Sequence, residues 1–444
     1  MGHELDPLFT PRSVAVYGAS ATDPGKLGNT LLANVTTDVD SVVCVHPSAA
    51  TVDGTPAVPS LDRTVDLALV SVPARAAEWA VRDAVAGGAK IVIVLSSGFG
   101  EAGPGGQALQ DRLVTVARAH GARLVGPNCM GVVSHLGEGR WFNGSYFWSV
   151  PRHPGPLSFI SQSGAFGGMF LSEVRRRGIG FARFVSLGNS PDVDVTEALG
   201  WLAADPRTTV IGVFTEGLRD GRAFVEAARG ITAVKPVVVL KGGRGTAGAR
   251  AAAGHTGALA GSARAYRAGF DRAGVTAVEE SAEFFDALTA LASGTSTRQG
   301  GRIAVLTVSG GPGVLAADAA ERCGLSLPPL SADRLAAIRK VAPAFAAIAN
   351  PVDLTPQCPP SGFAPAVAEV YADDGVDGVV VVNCGLDVPE FGAAVAEAYA
   401  ATGKATTAFL LDVPRVRESV ERAGIPCFDS PEAAVRGFAA KVVR

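Results

Sequence analysis

Residues 253–261 read AGHTGALAG and place one histidine, His255, in a run of small residues. An imidazole usually has a fixed partner, yet the neighbours here are Gly254, Gly257 and alanines. Such surroundings let a large ligand reach the ring, which suits a histidine that carries a group from one site to another. The bland alternative is a glycine-rich turn that contains a histidine, and this stretch alone does not separate the two. A carboxylate complements it. Thr215–Leu218 reads TEGL and puts Glu216 at the end of an expected buried strand, where an acid is unfavourable without a partner. A carboxylate that accepts from one imidazole nitrogen fixes the tautomer and leaves the other nitrogen as nucleophile, so His255 and Glu216 form a candidate pair. For Glu216 alone, an ordinary surface turn is an equal reading. Of the other histidines, His3 is terminal, His120 falls at a helix end, His135 and His153 fall in loops, and His46 ends a strand where a ligand can pass.

Glycine-rich turns surround this pair. Gly18–Gly28 reads GASATDPGKLG, whose amides can face a phosphate at a helix start. It is not the dinucleotide fingerprint GxGxxG, and the second strand, SVVCVH, ends without the acid that holds a ribose hydroxyl. Leu27 follows Gly25-Lys26 where a P-loop needs Ser or Thr. A nicotinamide dehydrogenase and a P-loop NTPase are therefore disfavoured, while a phosphate-bearing ligand of another kind stays open beside a plain βα turn. Similar turns recur as GPNCMG (126–131), SQSGAF (161–166), LGNSPDVD (187–194) and SGGPG (309–313).

These turns need strands to carry them. Apolar β-like runs at Ser13–Tyr17, Ser41–His46, Leu67–Val72, Ile91–Leu95 and Arg123–Val125 alternate with alanine-rich helical stretches. The pattern restarts at Leu157–Ser161, with Phe181–Leu187, Val210–Thr215 and Pro236–Leu240, and again at Arg302–Val308, with Gly378–Asn383 and Thr407–Leu411. This predicts an α/β protein of three doubly wound parallel-sheet lobes, with ligands at the carboxyl ends of the strands. The expected domains are 1–140, 150–294 and 300–444, divided by a Gly/Pro/aromatic stretch at Gly137–Pro156 and a polar linker at Gly294–Gly301. Of the 444 residues, 48% are hydrophobic, 18% charged and 7% aromatic, which suits a Val/Ala/Leu core. The formal net charge of −3 offers no basic surface for nucleic acid or an acidic membrane. Six scattered cysteines show no CxxC pair, so disulfides and a structural zinc are not expected. With no apolar run of transmembrane length and no signal pattern, a cytoplasmic location is expected.

In order, GASATDPGKLG, GPNCMG, SQSGA, GNSPDVD, TEGL, LKGGRGTAGARAAAGHTGALAGS, SGGPGVLAADA and NPVDLTP span nearly the whole chain. On these segments the chain resembles the α subunit of NDP-forming acyl-CoA synthetases, the ADP-forming acetyl-CoA synthetase group related to succinyl-CoA synthetase. The stretch ending in GHTGALAGS is the specific one. The resemblance implies a Rossmann-like CoA-binding domain followed by two flavodoxin-like, succinyl-CoA-synthetase-type domains. It implies that His255 is the phosphohistidine and Glu216 its orienting carboxylate. CoA falls to Gly18, Ala19, Ser20, Lys26, Ser96, Ser97, Gly98 and Asn128, and phosphate to the amides at Ser163-Gly164 and Thr256-Gly257. Phe166 and Gly168 border the acyl pocket, which the aromatic loop Trp141–Trp148 either walls or leaves for interdomain packing. No metal ligand is expected in this chain. ATP/ADP and Mg2+ belong to a separate ATP-grasp β subunit, since no stretch here resembles such a domain. One departure is His46-Pro47-Ser48, where the family often has Asn-Pro-Lys, so Lys26 or an arginine must serve the CoA phosphates or CoA binds more weakly. Two alternatives follow: phosphohistidine-dependent amide or carbamoyl transfer, and a CoA-binding regulatory subunit without turnover.

Overall fold

A computed structural model describes residues 3–36, 39–250, 262–294 and 300–442. They group into two compact units, Met1–Glu279 and Glu280–Arg444. His255, Thr256 and Gly257 lie outside the described residues.

The first unit holds two sheets. The first sheet is built from β1 (Ser13–Tyr17), β2 (Ser41–Val45), β3 (Thr51–Val52), β4 (Thr55–Val58), β5 (Leu67–Val70), β6 (Ile91–Val94) and β7 (Arg123–Val125). Its order is β3-β4-β2-β1-β5-β6-β7. Runs such as LALV and IVIV are buried at every position, as strands covered by helices on both faces must be. Without the short hairpin strand β3, the order is the 3-2-1-4-5-6 of a Rossmann sheet. The β3–β4 hairpin turns on Asp53 and Gly54, both at positive φ (47° and 77°), the conformation that an Asp-Gly pair supplies.

The second sheet contains β8 (Gly131–Gly137), β9 (Arg140–Ser145), β10 (Pro154–Ser161), β11 (Phe181–Ser186), β12 (Val210–Thr215), β13 (Val237–Lys241) and β14 (Thr276–Val278). Its order is β14-β13-β12-β10-β11-β8-β9, a five-stranded flavodoxin-like sheet extended at one edge by an antiparallel hairpin. The second unit has one sheet of β15 (Ile303–Thr307), β16 (Val352–Asp353), β17 (Gly378–Cys384), β18 (Ala405–Leu411) and β19 (Cys427–Phe428), in the flavodoxin-like order β16-β15-β17-β18-β19. The three doubly wound, mostly parallel sheets expected from the sequence are present. No helix among the described residues is long and apolar enough to cross a membrane.

Sheet membership changes at other places than the expected domain boundaries. The segment read as a linker from residue 137 holds a hairpin. Gly137, Glu138 and Gly139 turn at positive φ, and β8 pairs with β11, so residues 131–145 belong to the second sheet and not to a domain ending at 140. At the other boundary, the helix Ser281–Ala292 groups with the second unit. It packs on the helix Pro431–Lys441, with Asp286 paired to Arg436 at 2.7 Å.

Within the first unit the two sheets share a hydrophobic core and a buried ion network. Arg123 on β7, 3% exposed, donates to Asp192 and to Glu197 at 2.7 Å, and also pairs with Glu4. Asp192 in turn accepts from the Leu124 amide at 2.7 Å. Trp201 adds a second tie, stacking on Phe9 at 4.0 Å while its indole N–H donates to Asp6. Removing one member of a buried network leaves the others uncompensated, at about 3–5 kcal/mol. Arg123→Met is expected to destabilise the first unit by that amount in chemical denaturation, and a loss under about 1 kcal/mol would show that the network does not join the sheets.

Candidate active site

The parallel strands of the first unit deliver their carboxyl ends to a cavity of about 870 Å³, within the range of small-molecule sites. One end is formed by Gly18, Ala19, Ser20, Lys26 and His46, the middle by Ser71, Ser96, Ser97 and Asn128, and the other end by Gln162, Ser163 and Gly164.

The first end lies at a topological switch point, because β1 has β2 on one side and β5 on the other. Gly18 has φ +95°, and a methyl on it would sit 2.4 Å from the Ser71 carbonyl oxygen, so only glycine lets the two strand ends meet. The turn is held from within. Asn29 accepts from the Ser20 amide at 2.8 Å and donates to the Ser20 carbonyl at 2.9 Å and to Asp53 at 2.8 Å. Lys26 precedes the helix Leu27–Val35, in which the Leu27 and Gly28 amides come before the first helical hydrogen bond, from Asn29 to the Lys26 carbonyl at 2.9 Å. His46 accepts from the Ala49 amide through Nδ1 at 2.9 Å, so in the neutral ring Nε2 carries the proton.

In the middle, the Ser96 hydroxyl donates to the Val72 carbonyl at 2.5 Å, and Ser71 and Tyr146 share a hydrogen bond of 2.7 Å. Burial pushes the Tyr146 hydroxyl up to about 12. Cys129 also lines the cavity, and burial pushes its thiol up to about 12, which rules it out as a thiolate nucleophile at neutral pH. Gly98 does not reach the cavity. Its amide, with that of Phe99, donates to Glu101, and Asn189 donates to the same carboxylate at 2.6 Å. Burial opposes the Glu101 charge, but these donors outweigh it and hold the carboxyl below its ordinary value. Asn189 also accepts from Asn128 at 3.3 Å, so the Glu101 network braces a residue that lines the cavity.

At the far end, Ser163 caps the helix Gly164–Arg176 by accepting from the Phe166 amide at 3.3 Å. Gly164 and Ala165 line the cavity at the positive end of the helix dipole, and their amides precede the first intrahelical bond. Phe166 and Gly168 do not line this space. Phe166 stacks on Phe214 at 4.2 Å, and Gly168 lies against Phe147, both in an aromatic cluster behind the helix. The aromatic loop divides. Trp141 is buried between His135 and Phe181, Tyr146 reaches the cavity, and Trp148 is 77% exposed.

Gln162 joins this end to Glu216, and sequence reasoning missed it. Its Oε1 accepts from the Thr215 hydroxyl at 2.8 Å and from the amides of Glu216 and Gly217 at 2.6 and 3.1 Å. Its Nε2 donates to the Gly217 carbonyl at 2.9 Å. The signal was its place in SQSGAF, one residue past a strand beside the second switch point, β10/β12. The structure thus gathers Gly18, Ala19, Ser20, Lys26, Ser96, Ser97, Asn128, Ser163 and Gly164 around one cavity, with Glu216 one side chain away.

Three family models match in succession: a CoA binding domain over residues 12–135, a succinyl-CoA ligase like flavodoxin domain over 154–291 and a ligase-CoA domain over 303–415. With the sheet orders, they define the class as an α/β protein assembled from succinyl-CoA-ligase-type modules. The chain is 36% identical to acetate–CoA ligase (ADP-forming) I of Archaeoglobus fulgidus, covering 98% of itself and 63% of that protein. It is 34% identical to the α subunit of acetate–CoA ligase (ADP-forming) I of Pyrococcus furiosus, covering 98% of itself and 96% of that subunit. It superposes with a TM-score of 0.88 on the dinucleotide forming acetyl-coenzyme A synthetase 1 of Ca. Korarchaeum cryptofilum in complex with phosphate and ADP, at 31% identity over 98% of this chain and 96% of that one. The chain belongs to the NDP-forming acyl-CoA synthetase family, as a counterpart of its α subunits.

The burial of Cys129 gives a direct check. Native protein at pH 8 is expected to take iodoacetamide at the exposed Cys384 and not at Cys129, read by peptide mass spectrometry; rapid labelling of Cys129 would show that the cavity wall opens.

Proposed function

We propose that this chain is the α subunit of an acid–thiol ligase that joins a carboxylic acid to CoA through a phosphohistidine and an acyl phosphate. The observation that carries the reading is the single cavity running from the Gly18–Lys26 turn to the amides of Gly164 and Ala165, with Gln162 tying it to the Glu216 loop. A carboxylate is a poor acyl donor because its leaving group is oxide; phosphorylation makes the leaving group phosphate. A separate ATP-grasp β subunit, holding ATP and Mg2+, transfers the γ-phosphoryl group to a nitrogen of His255 and releases ADP. Glu216 accepts from the other ring nitrogen and holds the tautomer. The substrate carboxylate oxygen attacks phosphorus, the N–P bond breaks, and an acyl phosphate forms. The CoA thiolate attacks the acyl carbon, the C–O bond breaks, and phosphate departs.

Such transfers depend on positioning and charge neutralisation. The amides of Gly164 and Ala165 provide fixed donors for phosphate, and those of Thr256 and Gly257 are assigned the same part by the family resemblance. Lys26 and the Nε2–H of His46 line the cavity where the CoA phosphates are expected, and they replace the lysine absent at Ser48. The acid is taken to be of the acetate type, after the names of the two relatives described above.

The test is transfer of label from [32P]acetyl phosphate to the purified chain. Acid-labile, base-stable label is expected on the unaltered protein and none on His255→Ala; label that survives that substitution overturns the phosphohistidine. Glu216→Gln is expected to keep the fold and slow labelling by orders of magnitude. Gln162→Leu removes the partner of two amides, a hydroxyl and a carbonyl, each worth about 1–3 kcal/mol when left unsatisfied. Its labelling rate is expected to fall about 100-fold, and an unchanged rate would show that the Glu216 loop holds its place without it.

A further inference from the structure

Lys241, the last residue of β13, is a buried cation that the steps above leave unused. It is only 7% exposed. The two comparably buried arginines of the same unit have carboxylates: Arg123 has Asp192, and Arg183 has Asp205 at 3.2 Å. Lys241 makes no ion pair with a described carboxylate. Its ammonium donates to the Gly242 carbonyl and lies over the Tyr266 ring, 4.8 Å from the centroid. Glu216 acts on the ammonium but forms no ion pair with it, so a buried charge that is unfavourable alone can still take a further anion.

Its position says which one. Lys241 stands beside Thr215 in the β12–β13 register, next to Glu216. A methyl on Gly242 would come within 3.7 Å of Glu216 Cγ, so the acid lies over the backbone that Lys241 grips. The hydroxyl of Tyr266, whose ring carries the ammonium, accepts from the Leu218 amide at 3.0 Å, in the same loop. We propose that Lys241 is the cation that balances the phosphoryl group handled at the Glu216 loop. The inference rests on the phosphohistidine reading and adds to it the charge that Glu216, an anion, cannot supply. Lys241 stays protonated throughout and exchanges no bond.

The groups facing the ammonium are Glu216 from the end of β12, Tyr266 from the helix Ala263–Ala273, and Arg244, Arg267 and Glu279 around the adjoining recess, where both arginines pair with Glu279. Burial lowers the Lys241 pKa from 10.5, and Glu216 opposes the shift. Initial rates of labelling from [32P]acetyl phosphate, together with CoA affinity by calorimetry, test the role. Lys241→Met is expected to label at least 100-fold more slowly with CoA affinity within about twofold of the unaltered chain. Lys241→Arg is expected to keep its rate within about tenfold. Above neutral pH, the unaltered protein should lose rate as the ammonium deprotonates, whereas Lys241→Arg should hold its rate because a guanidinium does not titrate there. That comparison decides the matter even if Lys241→Met fails to fold. Unaltered labelling in Lys241→Met, or alkaline profiles that coincide for lysine and arginine, overturns the proposal and leaves the phosphohistidine intact. Absence of label from the unaltered chain overturns both.

Discussion

Everything at the candidate active site depends on bridging a gap that a doubly wound sheet opens. At a switch point, neighbouring strands send their chains to opposite faces and leave a crevice beyond the strand ends. At β10/β12 the side chain of Gln162 fills that gap, and an amide is well matched to it. One oxygen takes the Thr215 hydroxyl and two successive amides, and the nitrogen serves the Gly217 carbonyl. The residue that closes the gap also lines the cavity, so the carboxylate of Glu216 and the far end of the cavity share one rigid support. The switch point at β1/β5 has the opposite solution. There the ends are drawn together until the Gly18 and Ser71 backbones touch, and glycine alone fits.

Much of this was legible because parallel strands buried on both faces read as unbroken apolar runs, and many of these runs end in a glycine turn. Arg123–Val125 and Val210–Thr215 fall where the sequence places them, and most other runs differ from the observed strands by a residue or two at an end. The short strands β3, β4, β14, β16 and β19 were not legible, since two to four residues carry too little pattern. The β8–β9 hairpin was hidden for another reason: its turn is Gly-Glu-Gly, and a glycine-rich aromatic stretch resembles a linker until its partner strand is known. Among the candidate residues, most of those on strand-end turns lie together around the cavity, and the turns themselves single them out. Gly98 lies off the cavity wall because Glu101, three residues on, takes its amide, and nothing local in the sequence shows that. Phe166 also lies off this cavity: a phenylalanine in the first turn of a helix can face a pocket or the sheet, and only Phe214, stacked against it from β12, decides the side. Gln162 and Lys241 went unnoticed because their meaning lies in contacts with Thr215–Leu218, Gly242 and Tyr266, which periodicity does not reveal.

The distribution of charge fits the proposed handling of phosphates at two places by a chain of net charge −3. At the cavity the fold relies mainly on backbone N–H groups, with Lys26 and His46 near the first turn and helix amides at Ser163–Ala165. Oriented amides bind an anion without holding a charge when it leaves, which suits the release of acyl-CoA and phosphate in the proposed reaction. The Glu216 loop is different, because its own side chain is negative and a second anion beside it is repelled. A fixed cation in a low-dielectric setting is the direct remedy, and Lys241 sits on the neighbouring strand end with its ammonium on an aromatic face instead of a carboxylate. An ion pair would quench that charge permanently. The ring of Tyr266 stabilises the ammonium weakly and leaves it available, so a modest cation–π contact serves the chemistry better than a salt bridge.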